Sequence, residues 1–256
     1  MNRKHGIVMT AVGMAAVMGL SACGSSEKKS DDKKPEKSAS AKNEAQGGGG
    51  LEKLSGKEIS EKAKQELRNA TSLRFKMKGA KGPDAMDIDL AVDNKGNCAG
   101  TVTSPTTGSA EVIKLGDRVW MKADEKLWKS QANPQVAELL KGRYITGPTS
   151  DPKLKGMTSA CDLAAMQAKV GDEKESGEIK KGAATTLDGQ PVVPISSDGT
   201  TISVAAAGRP YPLKIDDSKD GSVVRLTDWN KPVSAKAPPA GQTIDITKLQ
   251  KSQQGL

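Results

Sequence analysis

Histidine and aromatic residues are scarce in this 256-residue chain, and their scarcity excludes several kinds of active site. The single histidine, His5, lies in an N-terminal segment that we expect to be cleaved. The remaining chain can therefore form neither a Ser-His-Asp nor a Cys-His nucleophile, nor a zinc site with histidine ligands. A Ser-Lys hydrolase stays open as an alternative, although no motif places such a pair. Aromatic residues make up only 2 % of the chain, so the stacking surfaces of single-strand nucleic-acid binders are missing.

The sequence also lacks cofactor motifs and a strong charge of one sign. The glycine run at residues 47–50 does not open a helix after a strand, as a phosphate-binding loop would. Asp87 and Asp89 lie on the polar side of a predicted strand and are most simply solvated charges. Removing Arg3 and Lys4 from the 39 basic residues leaves 37 against 31 acidic ones, a formal charge of +6. We expect no enzymatic activity, no cofactor, no metal and no nucleic-acid partner, and this modest charge suits an anionic membrane surface.

A single long apolar run is present, at about residues 6–19, and Arg3 and Lys4 precede it. It is too short for a transmembrane helix, which needs about 20 apolar residues, and has the pattern of a signal peptide. The run ends in Leu-Ser-Ala-Cys at residues 20–23. This tetrapeptide resembles the bacterial lipobox, which implies that residues 1–22 are removed and that Cys23 carries the lipid. The alternative is a free cysteine behind an ordinary secretory signal.

The segment from Cys23 to residue 50 is polar and of low complexity. It contains no apolar residue larger than alanine after Cys23, so it cannot bury a core. We interpret it as a disordered tether with an r.m.s. reach of about 30 Å. Binding of a polyanionic wall polymer is the alternative. Together with the lipobox, this segment predicts a protein anchored by lipid to the extracytoplasmic face of the cell membrane.

Alternating apolar and polar residues predict an antiparallel sheet with one buried face in residues 51–256. Residues 72–78 place Leu73, Phe75 and Met77 on one side, and residues 86–93 repeat the pattern. The turn at residues 93–96 leads to a return strand through Cys98, and two more strands flank residues 116–117. Further strands are predicted at about residues 178–186, 191–196, 200–206, 211–215 and 222–227, with an irregular tail from about residue 239.

Helical patterns occur at two places in this domain. A capping box of Ser55 and Glu58 opens a helix that runs to about Asn69. In the middle of the chain, Asn133 and Pro134 begin a helix that ends near residue 142, and residues 158–171 predict another. Helices inserted between two blocks of strands indicate an α+β architecture.

The order of these segments resembles the LppX/LprAFG family of bacterial lipoproteins over about residues 51–239. The most specific pieces are GRPYPLKI at residues 208–215 and LTDWNKPV at residues 226–233. The resemblance implies the LolA-like fold, a large curved antiparallel sheet (half-barrel) whose concave face is covered by helices. It also implies a carrier of hydrophobic ligands, with acyl chains held between the sheet and the helices.

Strand alternation then predicts which side chains would line such a cavity. The predicted sheet positions are Phe75, Met77, Ile88, Leu90, Val119, Met121, Ile202, Val204, Leu213 and Ile215, and Leu139, Leu140 and Met166 would close the cavity from the helices. The alternative is that these residues fill a packed core. In that case the chain would be a non-enzymatic cell-envelope interaction module whose surface docks an unspecified protein or a wall polymer. Either way, we expect a monomer.

Two cysteines remain once Cys23 is acylated. Because an exported protein meets an oxidising compartment, we predict a disulfide between Cys98 and Cys161. The alternative is two unrelated buried thiols.

Overall fold

The computed structural model describes residues 50–80, 82, 85–152, 154, 158–172 and 177–248. The predicted signal peptide, Cys23 and the predicted tether up to residue 49 lie outside the described residues, so their roles stay predictions.

Thirteen strands in the described part of the chain form one open sheet. The strands are β1 Ser72–Lys78, β2 Asp87–Asp93, β3 Cys98–Ser104, β4 Gly108–Leu115, β5 Arg118–Ala123, β6 Tyr144–Pro148, β7 Lys180–Lys181, β8 Thr185–Leu187, β9 Gln190–Ser197, β10 Thr200–Ala205, β11 Pro212–Asp217, β12 Val223–Thr227 and β13 Thr243–Asp245. Their order is β13-β6-β5-β4-β3-β2-β1-β12-β11-β10-β9-β7, and β8 also pairs with β9. All pairs are antiparallel except β13 with β6. The predicted α+β, half-barrel-like fold is thus confirmed.

Four α-helices whose bounds lie within the described residues accompany the sheet: α1 Gly56–Arg68, α2 Glu125–Gln131, α3 Pro134–Leu140 and α4 Leu163–Asp172. The predicted capping box of α1 is present, since the Glu58 amide donates to Ser55 Oγ and the Ser55 amide donates to Glu58 Oε2 at 2.8 Å. The predicted helix at residues 158–171 is divided. A 3-10 helix at Ser159–Cys161 ends where Asp162 becomes extended, and Asp162 then caps α4 by accepting from the Ala165 amide.

All four helices are associated with one face of the sheet, which we call the inner face. Phe75 opposite Leu90, and Leu73 opposite Val92, are buried cross-strand pairs on this face. Side chains of α2, α3 and α4 pack onto this part of the core. At the other end of the sheet, Ile59 and Ala63 of α1 pack with Val193, Ile195 and Val204. The sheet is therefore covered by different helices at its two ends.

The C-terminal segment, residues 228–248, leaves β12 in the middle of the sheet and runs to the edge formed by β6. Ser72 Oγ donates to the Lys231 carbonyl, and Ala235 packs against the outer-face cluster of Ile113, Trp120 and Tyr144. The segment then pairs as β13 with β6. The prediction of an irregular tail from about residue 239 is wrong for residues 243–245. On the side away from β5, the backbone of β6 has hydrogen-bonding groups that need partners, and β13 supplies them. Ile244 and Ile246 also pack against the inner core.

Candidate ligand pocket

A pocket of about 840 Å³ lies on the inner face, between strands β2 to β5 and helix α2. Its described lining consists of Met86, Ile88, Val102, Ser104, Thr106, Thr107, Gly108, Ala110, Val112, Met121, Leu127, Trp128, Gln131, Ser159 and Ala160. None of these residues is charged. The pocket therefore offers a surface of aliphatic, aromatic, hydroxyl and amide groups.

Cross-strand pairing places the apolar sheet residues of the pocket side by side. Ile88 lies opposite Val102, and Val102 lies opposite Ala110 on the next strand. Val112 in turn lies opposite Met121. Directly opposite side chains on one face of a sheet are about 5 Å apart, so these residues form a continuous apolar wall. Because Ala110 is small, the wall leaves room beneath α2.

The polar part of the lining comes mainly from the turn between β3 and β4. Ser104 Oγ accepts hydrogen bonds from the amides of Thr106 and Thr107, both at 3.3 Å. Thr106 and Gln131 are exposed, so this part of the lining faces the opening. An amphiphile with an apolar body and an uncharged contact region matches such a surface.

Asp124 fixes α2 to the sheet beside the pocket. Its Oδ1 accepts from the Leu127 amide at 2.7 Å, and its Oδ2 accepts from the Ser109 amide and hydroxyl at 2.8 and 2.9 Å. Gly108 makes this approach possible, because a Cβ at that residue would lie 2.4 Å from Asp124 Oδ1. The side chain that caps α2 therefore also sets the distance between α2 and β4.

We expect Asp124→Ala to lower the free energy of unfolding by about 1–2 kcal/mol at neutral pH, the usual cost of a lost N-cap. Burial alone would raise the pKa of Asp124, but the hydrogen bonds from Leu127 and Ser109 outweigh it and hold this pKa below its ordinary value. The stabilisation is therefore present above the pKa of the unfolded state and is lost as pH falls through the folded-state pKa.

The measurement is urea unfolding at several pH values, with Asn133→Ala as the matched control. Asn133 caps α3 through the Val136 amide at 2.9 Å but carries no titrating group. The loss of unfolding free energy caused by Asp124→Ala should become smaller at acid pH, whereas the loss caused by Asn133→Ala should not. Equal pH profiles for the two variants would contradict the role assigned to the Asp124 carboxylate.

The predicted disulfide between Cys98 and Cys161 is present, and both residues are fully buried. Cys98 begins β3, and Cys161 ends the 3-10 helix whose Ser159 and Ala160 line the pocket. The disulfide therefore holds one wall of the pocket onto the sheet.

The structure separates the residues that were predicted to line one cavity. Ile88 and Met121 line the pocket. The others lie elsewhere: Phe75, Leu90, Val119 and Leu140 are buried in the large core cluster, Ile215 and Met166 pack against that cluster, Ile202 and Val204 belong to the cluster under α1, and Met77 is partly buried on β1. For these positions, the alternative of a packed core describes the structure better than a cavity wall.

Two of the predicted wall positions are wrong for identifiable reasons. Leu139 is 49 % exposed, because Ala137 and Leu140 are the residues that α3 turns towards the core. Leu213 lies at a bulge, where Val204 pairs with Pro212 and the adjacent Ser203 pairs with Lys214. A bulge shifts the alternation by one residue, so Pro212 is buried where Leu213 was expected.

Most of the pocket lining was not predicted from the sequence. The apolar lining residues that were not predicted are Val102, Ala110, Val112, Leu127 and Trp128. The sequence did contain a helix signal for Leu127 and Trp128, since Asp124 is a good N-cap and both residues follow it within about one helical turn. Val102 lies among threonine and serine residues, which weakens its apolar pattern.

Two features are absent from the described residues. No group of three or more histidine, cysteine, aspartate or glutamate side chains is placed to hold a metal ion there. Within the same residues, no helix has the length and apolar character needed to cross a membrane.

No family model and no curated protein sequence matches this chain. Among solved structures, LprF from Mycobacterium bovis superposes with a TM-score of 0.52 and 14 % identity, over 72 % of this chain and 97 % of LprF. The lipoprotein LppX from Mycobacterium tuberculosis gives a TM-score of 0.45 and 12 % identity, over 70 % of this chain and 97 % of LppX, which is too low to support a conclusion. The chain therefore shares the fold of LprF, the fold that its sequence resemblance predicted.

Proposed function

We propose that this protein is a membrane-anchored, extracytoplasmic lipoprotein that binds or carries a hydrophobic, acyl-lipid ligand in the inner-face pocket. The observation that carries the proposal is a pocket of about 840 Å³ with an apolar wall and no charged residue in its described lining. Small-molecule sites typically measure about 300–1,000 Å³ and are predominantly apolar. Acyl chains need no hydrogen-bonding partners, so an uncharged apolar wall suits them.

A binding protein fits the lining better than an enzyme does. The described lining contains hydroxyl groups, at Ser104 and Thr107 among others, but no lysine, aspartate, glutamate, histidine or cysteine side chain. A hydroxyl nucleophile needs an adjacent general base. The proposal is therefore a non-enzymatic carrier.

Anchoring through Cys23 rests on the Leu-Ser-Ala-Cys tetrapeptide behind a signal-like apolar run. The two acyl chains of a diacylglycerol that is thioether-linked to Cys23 would hold the protein firmly, since stable anchoring takes more than one chain. The location that follows is the extracytoplasmic face of the cell membrane.

Native mass spectrometry of the full-length chain, purified from a host that processes lipoproteins, tests the proposal. We expect a complex whose excess mass is released by organic solvent as an acyl lipid. The denatured chain should keep a second mass increment, corresponding to acylation of Cys23. An envelope interaction module with a filled core would carry no extractable lipid, and that result would overturn the carrier function.

A further inference from the structure

Helix α3 carries apolar side chains on two of its sides. Ala137 and Leu140 contact the inner core, whereas Val136 and Leu139 are 38 % and 49 % exposed. In the part of the chain that the structure describes, the only other large hydrophobic residue with comparable exposure is Met86, at 42 %. A surface helix of a soluble domain normally keeps its outward side polar. The second apolar side of α3 therefore indicates contact with another apolar environment.

Val136 and Leu139 lie on the helix that follows the pocket-lining helix α2 along the chain. Met86 lines the pocket and is itself exposed, so it marks the opening. Helix α2 supplies Leu127, Trp128 and Gln131 to the pocket lining, and α3 begins three residues after Gln131. Whatever covers the outward side of α3 therefore lies beside the helix that forms the pocket wall.

The charges around α2 and α3 favour an anionic surface. Residues 124–143 contain four exposed basic side chains and three acidic ones: Lys126, Lys129, Lys141 and Arg143 against Asp124, Glu125 and Glu138. Asp124 is held by Ser109 and the α2 backbone, Glu125 pairs with Lys129 at 2.7 Å and Glu138 pairs with Lys141 at 3.7 Å. Anionic lipid headgroups attract such clusters, and long basic side chains can keep their charge in the headgroup layer while their stems cover apolar surface.

We propose that α3 is a membrane-docking element, with Val136 and Leu139 inserted into the surface of an anionic bilayer. The proposal rests on the proposed function, because docking there would bring the pocket opening to the lipid that it takes up or releases. The predicted tether, with a reach of about 30 Å, keeps the domain near the bilayer. A second copy of the chain is a less favoured partner for this surface. A stable dimer buries about 800 Å² per partner, whereas α3 exposes only two large apolar side chains.

Vesicle flotation tests this proposal on the chain from residue 23 onwards with Cys23→Ser, which removes the acyl anchor and leaves the rest of the mature protein intact. The vesicles contain phosphatidylcholine with or without phosphatidylglycerol. We expect binding to the anionic vesicles, and we expect Val136→Asp/Leu139→Asp to lower the partition coefficient by about tenfold or more. Leu139→Trp should instead raise it, since tryptophan favours the membrane interface.

The matched control is Ala183→Asp/Ala184→Asp, which adds the same two charges at exposed positions between β7 and β8, at the other end of the sheet. This control should bind as the parent does. Three results would overturn the docking proposal: no vesicle binding by the parent, an equal loss of vesicle binding in both double variants, or a concentration-dependent dimer that only the Val136/Leu139 variant abolishes while vesicle binding is unchanged.

The lipid content of each preparation distinguishes the docking proposal from the proposed carrier function. Extractable lipid without vesicle binding would overturn the docking proposal alone. Vesicle binding without extractable lipid would overturn the proposed carrier function alone.

Discussion

The double variant Cys98→Ala/Cys161→Ala is expected to unfold with a free energy about 4 kcal/mol below that of the parent chain. The two cysteines are 63 residues apart, and in the chain-entropy account a cross-link over such a loop lowers the entropy of the unfolded state by about this amount. Since domains are typically held folded by 5–15 kcal/mol, roughly a quarter or more of the stability is expected to depend on one bond. Urea unfolding at neutral pH measures the difference.

Reduction of the parent chain provides the control, because it opens the disulfide and keeps the volume of both sulfur atoms. If the cross-link itself is responsible, the reduced parent should lose nearly as much stability as the double variant. A reduced parent that unfolds like the oxidised one would show that the loss in the variant came from packing. Bound lipid should also decrease on reduction, since Ser159 and Ala160 of the pocket lining precede Cys161 directly.

The second large effect is expected from filling the pocket. Ala110→Trp places an indole where the apolar wall leaves room, so the variant should lose its extractable lipid while its stability changes little. The comparison is Leu90→Trp, at a residue that is 1 % exposed and lies opposite Phe75 in the packed core. Adding the same ring there should lower the free energy of unfolding by about 1–3 kcal/mol through overpacking.

Both variants are measured by lipid extraction and by urea unfolding on the same preparations. Retention of a full complement of lipid by a folded Ala110→Trp variant would mean that the ligand does not occupy this pocket. If Leu90→Trp is tolerated as well as Ala110→Trp, the distinction between core and pocket at these two positions is wrong.

The fold was largely predictable because its signals are local. The alternation in residues 72–78 and 86–93 correctly predicts that Leu73, Phe75, Leu90 and Val92 share the buried face. Capping residues likewise predict where α1 and α3 begin. Each of these patterns depends on residues within a few positions of one another.

The pocket was not predictable in the same way, because it depends on how far a helix lies from a sheet. Asp124 and Gly108 set that distance through a contact across 16 residues, and no periodicity reports it. The bulge at Leu213 is equally invisible to alternation, since only the pairing with β10 reveals the shift. The strand expected at about residues 178–186 is divided into β7 and β8, with Gly182 between them packed closely against Pro194.

The pairing of β1 with β12 joins the first strand of the domain to nearly the last. Ser72 on β1 and Lys231 just beyond β12 are hydrogen-bonded across 159 residues of sequence. Contacts of such long range close slowly, because a large loop must be ordered before they form. During synthesis, β1 can pair with β2 early but cannot pair with β12 until most of the chain has emerged. We therefore expect the nascent chain to stay incompletely folded throughout translation, a state that would suit the export that we propose.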